Sequence, residues 1–364
     1  VVGAWIQSKL DLRRGDVPAA TRHLSWVVTQ LQRNPALLSA GTGKRIQAEM
    51  ALLELSRADY EEALRLLLRG GYWLDAAYLA ERVLTLNELV HFVDSRPDAD
   101  PTCRIEGDRI TFRSNERSTG LPFSVAPSTQ PTLPAVEPTL ALRYLLARRM
   151  LREGQGKRAL AYMPPCLKAQ VTAYLEAQRA AHTLTCTVWR TIRQPRTGWI
   201  GTGMRWVNDR IDGLTGDHWH CAEHSWRAAR LLRQNGMLLM GSEGGPDWHH
   251  YGGTFERETM AEIRKQAHLA PFDANSDEQQ RALRHAPKPD KRFHYRYRAA
   301  KWALDAARFM PRRTERAALM LCHGHMWLVQ RDTAAAKELY VEYLRRNWLF
   351  PWSSNFGRSC PPVP

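Results

Sequence analysis

The stretch Leu12-Arg13-Arg14-Gly15-Asp16-Val17-Pro18-Ala19-Ala20 contains every element of a turn between two helices. Its framework is Leu, three residues, a polar residue, three residues and Ala. The Leu ends one amphipathic helix, and the small and polar residues form the turn and cap the next helix. The Ala lets the two helices lie close together. The stretch therefore predicts a helical hairpin.

The same framework occurs three more times, as Leu55-Asp59-Ala63, Leu151-Gln155-Ala159 and Leu328-Asp332-Ala336. A small or helix-breaking residue precedes the polar centre in three of the four copies: Gly15, Ala58 and Gly154. One hairpin cannot bury its apolar face alone, so several must stack on one another. We therefore expect an all-α protein, built as an irregular α-solenoid of such hairpins.

The composition is that of a protein that folds. The 364 residues are 44% hydrophobic and 24% charged, which is ordinary for a globular protein. No run of about eighteen apolar residues is present, so the sequence predicts no membrane-spanning helix. The chain starts with Val1 rather than Met. We expect that an N-terminal segment, for which a signal peptide is one candidate, has been lost.

The net charge of +15 comes mainly from arginine, which outnumbers lysine 43 to 9. Arginine suits pairing with phosphate and carboxylate groups, so nucleic acid, an anionic membrane surface and an acidic protein are all admissible partners. The arginines are scattered along predicted helices and no recognition motif accompanies them. This distribution disfavours nucleic acid.

The sequence divides into four segments. Residues 1–95 predict N-terminal helical hairpins, and residues 96–138 form an insertion or linker rich in Pro, Ser and Thr. Within it, Cys103 to Arg113 alternates around Glu106-Gly107-Asp108 and predicts a small β-hairpin. Residues 139–346 predict a C-terminal helical repeat region, followed by an irregular tail at 347–364.

Several local features carry more specific expectations. Thr85 or Asn87 is expected to cap a helix that runs from Leu86 to Val93. Two further helices are predicted over Met204–Ile211 and Cys221–Gln234. Gly236 is expected to end the second of these.

The six cysteines are widely spaced without any C-x-x-C motif. Cys103 and Cys360 lie in loop-like sequence, so a bridge between them is expected in an oxidising space. Cys166, Cys186 and Cys322 lie in helical sequence and resemble small core residues.

At its predicted turns the sequence resembles the tetratricopeptide repeat, in which Gly-Asp-x-x-x-Ala opens the second helix and a Pro follows. Gly15, Asp16, Ala20 and Pro35 fit this pattern best, although the four turns are 43, 96 and 177 residues apart. The resemblance implies an irregular helical repeat with a groove for a protein partner. The stretches 75–85 and 292–297 are similar to uncharacterised bacterial repeat proteins of the cell envelope, which suggests the bacterial periplasm or envelope as location.

The strongest candidate for a metal site is the stretch from Asp217 to His224. If Asp217 caps a helix, His220 and His224 stand at i and i+4, with Cys221 three residues before His224. Together with His218, these side chains suit zinc or another transition metal. An aromatic-rich packed hairpin explains the same residues and is the favoured interpretation.

Two further clusters leave alternatives open. The loop residues Trp248, His249, His250 and Tyr251 predict either a partner-binding lip or a plug on the inner surface of the solenoid. Cations and rings alternate over Arg292–Arg298, which suits stacking against an adjacent helix as well as it suits a ligand. Cys322-His323-Gly324-His325 lies in the middle of a predicted helix and favours packing.

These observations together predict a noncatalytic scaffold that binds other protein subunits, as part of a larger bacterial complex or its assembly. A concave face and the loops at 95–138 and 241–255 would hold the partner. The sequence contains no Gly-rich phosphate loop and no Ser nucleophile elbow, so no enzyme activity and no cofactor are predicted. The alternatives are a metal-binding protein or metal-dependent enzyme using the His218–His224 cluster, and a binder of nucleic acid or anionic surfaces.

Overall fold

Helices make up most of the described part of the chain, which confirms the predicted all-α class. The computed structural model describes residues 1–96, 102–106, 109–113, 138–183, 186–187, 217–245, 247, 274–346 and 349–364. The predicted helix Met204–Ile211 lies outside these residues. The chain forms two compact units, Val1–Cys166 with Ser242–Arg292 and Leu167–Gly241 with Phe293–Pro364. Each unit combines parts of more than one segment defined from the sequence.

In the first unit, helices that follow one another along the chain pack against one another. Contacts join the first helix to the second, the second to the third, the third to the fourth and the fourth to the fifth. The helices are α1 (Val2–Arg13), α2 (Val17–Arg33), α3 (Ala40–Ser56), α4 (Tyr60–Gly70), α5 (Trp73–Tyr78), α6 (Leu86–Asp94), α7 (Pro138–Arg152), α8 (Gly156–Tyr162) and α11 (Ser276–Arg284).

Three of the four predicted turns share one backbone geometry. Gly15, Ala58 and Gly154 have φ angles of 78°, 63° and 81°, the left-handed conformation that favours glycine. The next amide in each turn, such as that of Asp16, donates to a carbonyl five residues earlier, as in a Schellman motif. The fourth turn differs, because Asp332 N donates to Leu328 O at 2.8 Å, four residues earlier. It is the copy with no small residue before the polar centre.

The polar centre caps the next helix in three of the four copies of the framework, and the alanine is buried in all four. Asp16, Asp59 and Asp332 each accept a hydrogen bond from an amide in the first turn of the following helix, whereas Gln155 makes no such side-chain bond. The alanines are completely buried in all four copies: Ala20, Ala63, Ala159 and Ala336. Their small side chains allow the close approach of the paired helices.

The predicted β-hairpin is present in the first unit. Strand β1 (Thr102–Glu106) pairs antiparallel with β2 (Arg109–Arg113), and Ile105 lies opposite Ile110. The predicted cap at Thr85 is also confirmed, because its side chain accepts from Glu88 N while Glu88 accepts from Thr85 N, which is a capping box. Between α5 and α6 the chain forms a π-helical turn at Leu79–Val83.

The second unit also consists of helices that pack against one another. Contacts join α9 to α10, α10 to α12, α12 to α13 and α13 to α14. These helices are α9 (Lys168–Ala181), α10 (Asp217–Met240), α12 (His294–Phe309), α13 (Glu315–Met326) and α14 (Thr333–Arg346).

The expectation that Gly236 ends a helix is wrong, because α10 continues to Met240. A Cβ atom at Gly236 would overlap the ring of Tyr295, which belongs to the neighbouring helix α12. Gly236 is therefore a position of close helix packing. Gly324 plays the same part in α13, where a Cβ would lie 3.2 Å from that of Ala303.

The cysteine assignments made from the sequence need correction. The disulfides are Cys103–Cys166, Cys186–Cys221 and Cys322–Cys360, so Cys103 does not pair with Cys360. The cysteines expected to be core thiols are all bridged. Sequence spacing did not reveal the pairs, because each bridge joins positions that only the fold brings together.

Within the described residues, no helix has both the length and the apolar character required to cross a bilayer.

Candidate functional site

Helix α1 carries a row of apolar side chains that are exposed to solvent. Val2, Ile6 and Leu10 follow one another at intervals of four residues, which places them along one face of the helix. Their side chains are 50%, 51% and 39% exposed. We call these three residues the α1 stripe. A periodic row of exposed apolar side chains differs from the single exposed apolar residues found on any protein surface.

Two polar side chains of α1 lie on its buried side. Ser8 and Asp11 are almost completely buried. Asp11 accepts a hydrogen bond from Gln7 Nε2 at 2.8 Å and pairs with His23 Nδ1 of α2, also at 2.8 Å. The hydrogen bond from Gln7 lowers the pKa of Asp11, and His23 adds to this effect. These hydrogen bonds offset the burial of the Asp11 carboxylate and help to fix the orientation of α1.

A second set of contacts fixes the rotation of α1 against α3. Trp5 Nε1 donates to one carboxylate oxygen of Glu49 at 2.7 Å, and Lys9 Nζ lies 2.8 Å from the other. The ammonium group of Lys9 also lies over the ring of Trp5, 4.9 Å from its centroid. The α1 stripe is therefore held on the outer side by contacts on two other faces of the same helix.

Further apolar side chains are exposed in the same part of the first unit. They are Trp26, Leu37 and Leu52, with exposures between 41% and 48%. By contrast, Leu24, Val27 and Leu31, which follow one another at helical spacing in α2, are buried. The N-terminal helices therefore bury one set of apolar side chains in a core and leave another set exposed to solvent.

The predicted metal cluster is only partly assembled on α10. The rings of His220 and His224 touch, with centroids 4.7 Å apart. Desolvation by burial lowers the pKa of His224, and the neighbouring His220 lowers it further. Cys221 is bonded to Cys186, so its sulfur is not the thiolate that a metal requires. His218 is buried whereas His220 is exposed. Among the described residues, no group of three or more potential ligands is arranged to hold a metal.

Of two other clusters predicted from the sequence, the structure describes one. The loop residues Trp248, His249, His250 and Tyr251 lie outside the described residues. His323 and His325 point to different partners, since His323 Nε2 lies 2.8 Å from Pro361 O and His325 Nδ1 lies 3.3 Å from Ala336 O.

A buried ion network in the first unit was not predicted. The carboxylate of Glu81, in the π-helical turn, accepts bonds from the amides of Glu243 and Gly244 at 3.0 and 3.3 Å and from the hydroxyl of Ser242. It also lies 3.2 Å from Arg152 Nη2. The network draws Ser242–Gly245 against the π-helical turn. The carboxylate of Glu81 binds groups of the protein itself, which indicates that the network has a structural role.

Sequence reasoning missed the α1 stripe for a specific reason. Apolar residues at intervals of four are the usual signature of a core-facing stripe, and the sequence does not show which face of a helix is covered. The one available signal was that Trp5, Lys9 and Asp11 are good partners for an adjacent helix.

No protein-family model, no curated protein and no solved structure matches this chain.

Proposed function

We propose that this protein is a noncatalytic helical-repeat scaffold that binds another protein chain through the α1 stripe. Helix packing within each unit supports a solenoid-like repeat arrangement, because each helix from α1 to α5, and again from α12 to α14, packs against the next one in the chain. The shared turn geometry at Gly15, Ala58 and Gly154 supports the resemblance to tetratricopeptide hairpins.

The exposed apolar row Val2, Ile6 and Leu10 is the observation that carries the proposal. An apolar row on one helix face is the pattern by which an amphipathic helix docks into an apolar groove of a partner. Covering side chains that are already half buried contributes about 1 kcal/mol each. The three residues together are thus worth about a hundredfold in affinity.

The test compares two charged substitutions at exposed apolar sites, of which the control site is the more accessible. Ile6→Glu places a charge in the α1 stripe, whereas Leu283→Glu changes a 64%-exposed residue of α11 in the same unit. With the protein's partner identified by native co-purification, we expect Ile6→Glu to weaken that complex by about a hundredfold. Leu283→Glu should leave it intact. Equal affinity of the wild type and Ile6→Glu would overturn the proposal.

We also propose that the protein works in an oxidising compartment, with the bacterial periplasm or cell envelope as the location. All six cysteines are bridged in three disulfides. Structural disulfides persist in exported proteins and are rare in the reducing cytosol. The partners we expect are other subunits of an envelope complex, and the +15 charge favours an acidic protein or an anionic membrane surface.

A further inference from the structure

A cavity of about 740 Å³ lies within the second unit. Its walls come from α10, α12, the end of α13 with the turn that follows it, and the C-terminal segment at Phe356–Arg358. Its volume lies in the range of cavities that hold small organic ligands. The cavity is separate from the α1 stripe, which belongs to the first unit.

The described lining of the cavity is cationic. It includes Arg233 of α10, Arg296 of α12, and Arg331 and Arg358 of the two irregular segments. None of the described lining residues is Asp or Glu. Guanidinium groups bind phosphate oxygens through paired, charge-assisted hydrogen bonds. Four arginines around one cavity therefore define a site for a multiply charged anion.

Phe293 positions two of these arginines. The guanidinium groups of Arg296 and Arg331 lie 4.4 and 4.2 Å from the centroid of its ring. Phe293 is itself fixed, because it is 92% buried and precedes α12 in a left-handed conformation with φ 58°. Two cations against one ring repel each other, and a bound anion would relieve that repulsion.

Arg296 supplies a second observation. Its Nε is buried and has no hydrogen-bond partner within the described part of the chain. A buried donor of this kind is normally satisfied, by protein, water or ligand.

The C-terminal wall is built into the fold. The disulfide Cys322–Cys360 ties the last residues to α13, and Gly357 N lies 3.3 Å from the sulfur of Cys322. Gly357 has φ 77°, and a Cβ there would overlap the ring of His325. Only glycine permits this close approach. The neighbouring residues Phe356 and Arg358 are thereby held at the cavity.

From this arrangement we infer that the cavity binds a small organic molecule carrying two or more phosphate groups, of about the size of a nucleoside diphosphate. The guanidinium groups bind the phosphate oxygens. Trp327 and Phe356, which also line the cavity, provide ring surface for the remainder of the ligand. A diphosphate is favoured over a carboxylate ligand of similar charge because a terminal phosphate group presents three acceptor oxygens to the guanidinium groups, whereas a carboxylate presents two.

Titration calorimetry of the intact protein tests this inference, with ADP, pyrophosphate and citrate as probes. We expect ADP and pyrophosphate to bind at one site per chain, and citrate to bind at least about tenfold more weakly. Arg296→Met keeps the apolar stem and should weaken ADP binding by about tenfold or more. Lys301→Met removes the same charge from an exposed position on the same helix and should leave binding unchanged.

A second variant guards against loss of folding in Arg296→Met. Arg358 is exposed, and Arg358→Met should weaken binding while the circular dichroism spectrum and melting temperature stay those of the wild type. Absence of ADP and pyrophosphate binding at millimolar concentration would overturn the inference. Equal weakening by Lys301→Met would do the same, because it would show a nonspecific charge effect. Binding of citrate as tight as that of pyrophosphate would overturn the phosphate assignment.

Discussion

The guanidinium group of Arg148 and the carboxylate of Glu243 form an ion pair in which neither side chain is exposed to solvent. Burial is the largest single influence on Arg148 and would lower its pKa, but the charge of Glu243 and the smaller effects of Tyr144, of Glu81 and of the hydrogen bond to Glu243 together outweigh it, so the pKa is raised. Arg148 also lies over the ring of Tyr144, 4.1 Å from its centroid. The pair joins α7 to the segment Ser242–Gly245. Both α7 and this segment belong to the first unit.

Removing one charge of this pair should be costly. Glu243→Gln preserves the shape of the side chain but leaves Arg148 buried without its counter-ion, and we expect a loss of about 3 kcal/mol in the free energy of unfolding. Urea denaturation followed by tryptophan fluorescence measures it.

The double variant Arg148→Met with Glu243→Met is the matched control. It removes both charges, together with the Nε and Nη1 donors of Arg148 that have no partner in the described part of the protein. We expect it to be more stable than Glu243→Gln, since replacing a buried pair by apolar residues is often close to neutral. A single variant as stable as the wild type would show that the pair carries no such energy.

The shared turn geometry predicts opposite effects of glycine at equivalent positions. Ala58 has a left-handed backbone, which costs a non-glycine residue about 1 kcal/mol, so Ala58→Gly should stabilise the protein slightly, by about 0.5 kcal/mol. Arg331 occupies the same place in the fourth turn without that conformation, so Arg331→Gly should destabilise by about 0.5–1 kcal/mol. Thermal melting of both variants measures this, and equal effects would refute the distinction between the turns.

Histidines of α13 predict a pH-dependent stability. Burial lowers the pKa of both His323 and His325 below the ordinary value of 6.5. The folded protein therefore binds fewer protons than the unfolded chain at these sites, so their contribution to stability is complete above pH 6.5 and is lost as the pH falls below it.

Urea midpoints between pH 8 and pH 5 measure this dependence. The variant His323→Gln with His325→Gln keeps a side-chain donor at each position and should flatten the curve in the acidic range. A curve parallel to that of the wild type would exclude these histidines as its source.

The disulfides predict the redox state of the native protein. Protein taken directly from its own cells and denatured should contain no thiol that reacts with a maleimide, because all six cysteines are bridged. Opening Cys322–Cys360, which closes a loop across 38 residues, should lower stability by about 4 kcal/mol. Complete labelling of the six thiols in native material would contradict the proposed compartment.

The turns and caps could be predicted from the sequence, because each depends on residues that are close together in the chain. The turns at Gly15, Ala58 and Gly154 depend on residues within a single stretch, as does the cap at Thr85. Gly236 was misjudged because its role depends on Tyr295, fifty-nine positions away. A glycine that stops a helix and one that admits a neighbour look alike in sequence.

The candidate sites depend on information that the sequence does not contain. The cavity arginines come from separate elements and form no motif, although the alternation at 292–298 did indicate stacking of rings and cations. Arg296 does stack on Phe293, but Phe293 precedes the helix rather than lying on it. The outward face of α1 depends on Asp11 and Trp5 finding partners on α2 and α3.

Photo-crosslinking in the native organism shows whether a second protein lies against the α1 stripe. A benzoylphenylalanine residue replaces Ile6 in the α1 stripe and, in a matched strain, Leu283. We expect the group at position 6 to crosslink to a second protein and the group at position 283 not to do so. Crosslinks from position 6 that stay within the same chain, or equal capture of the same protein from both positions, would contradict it.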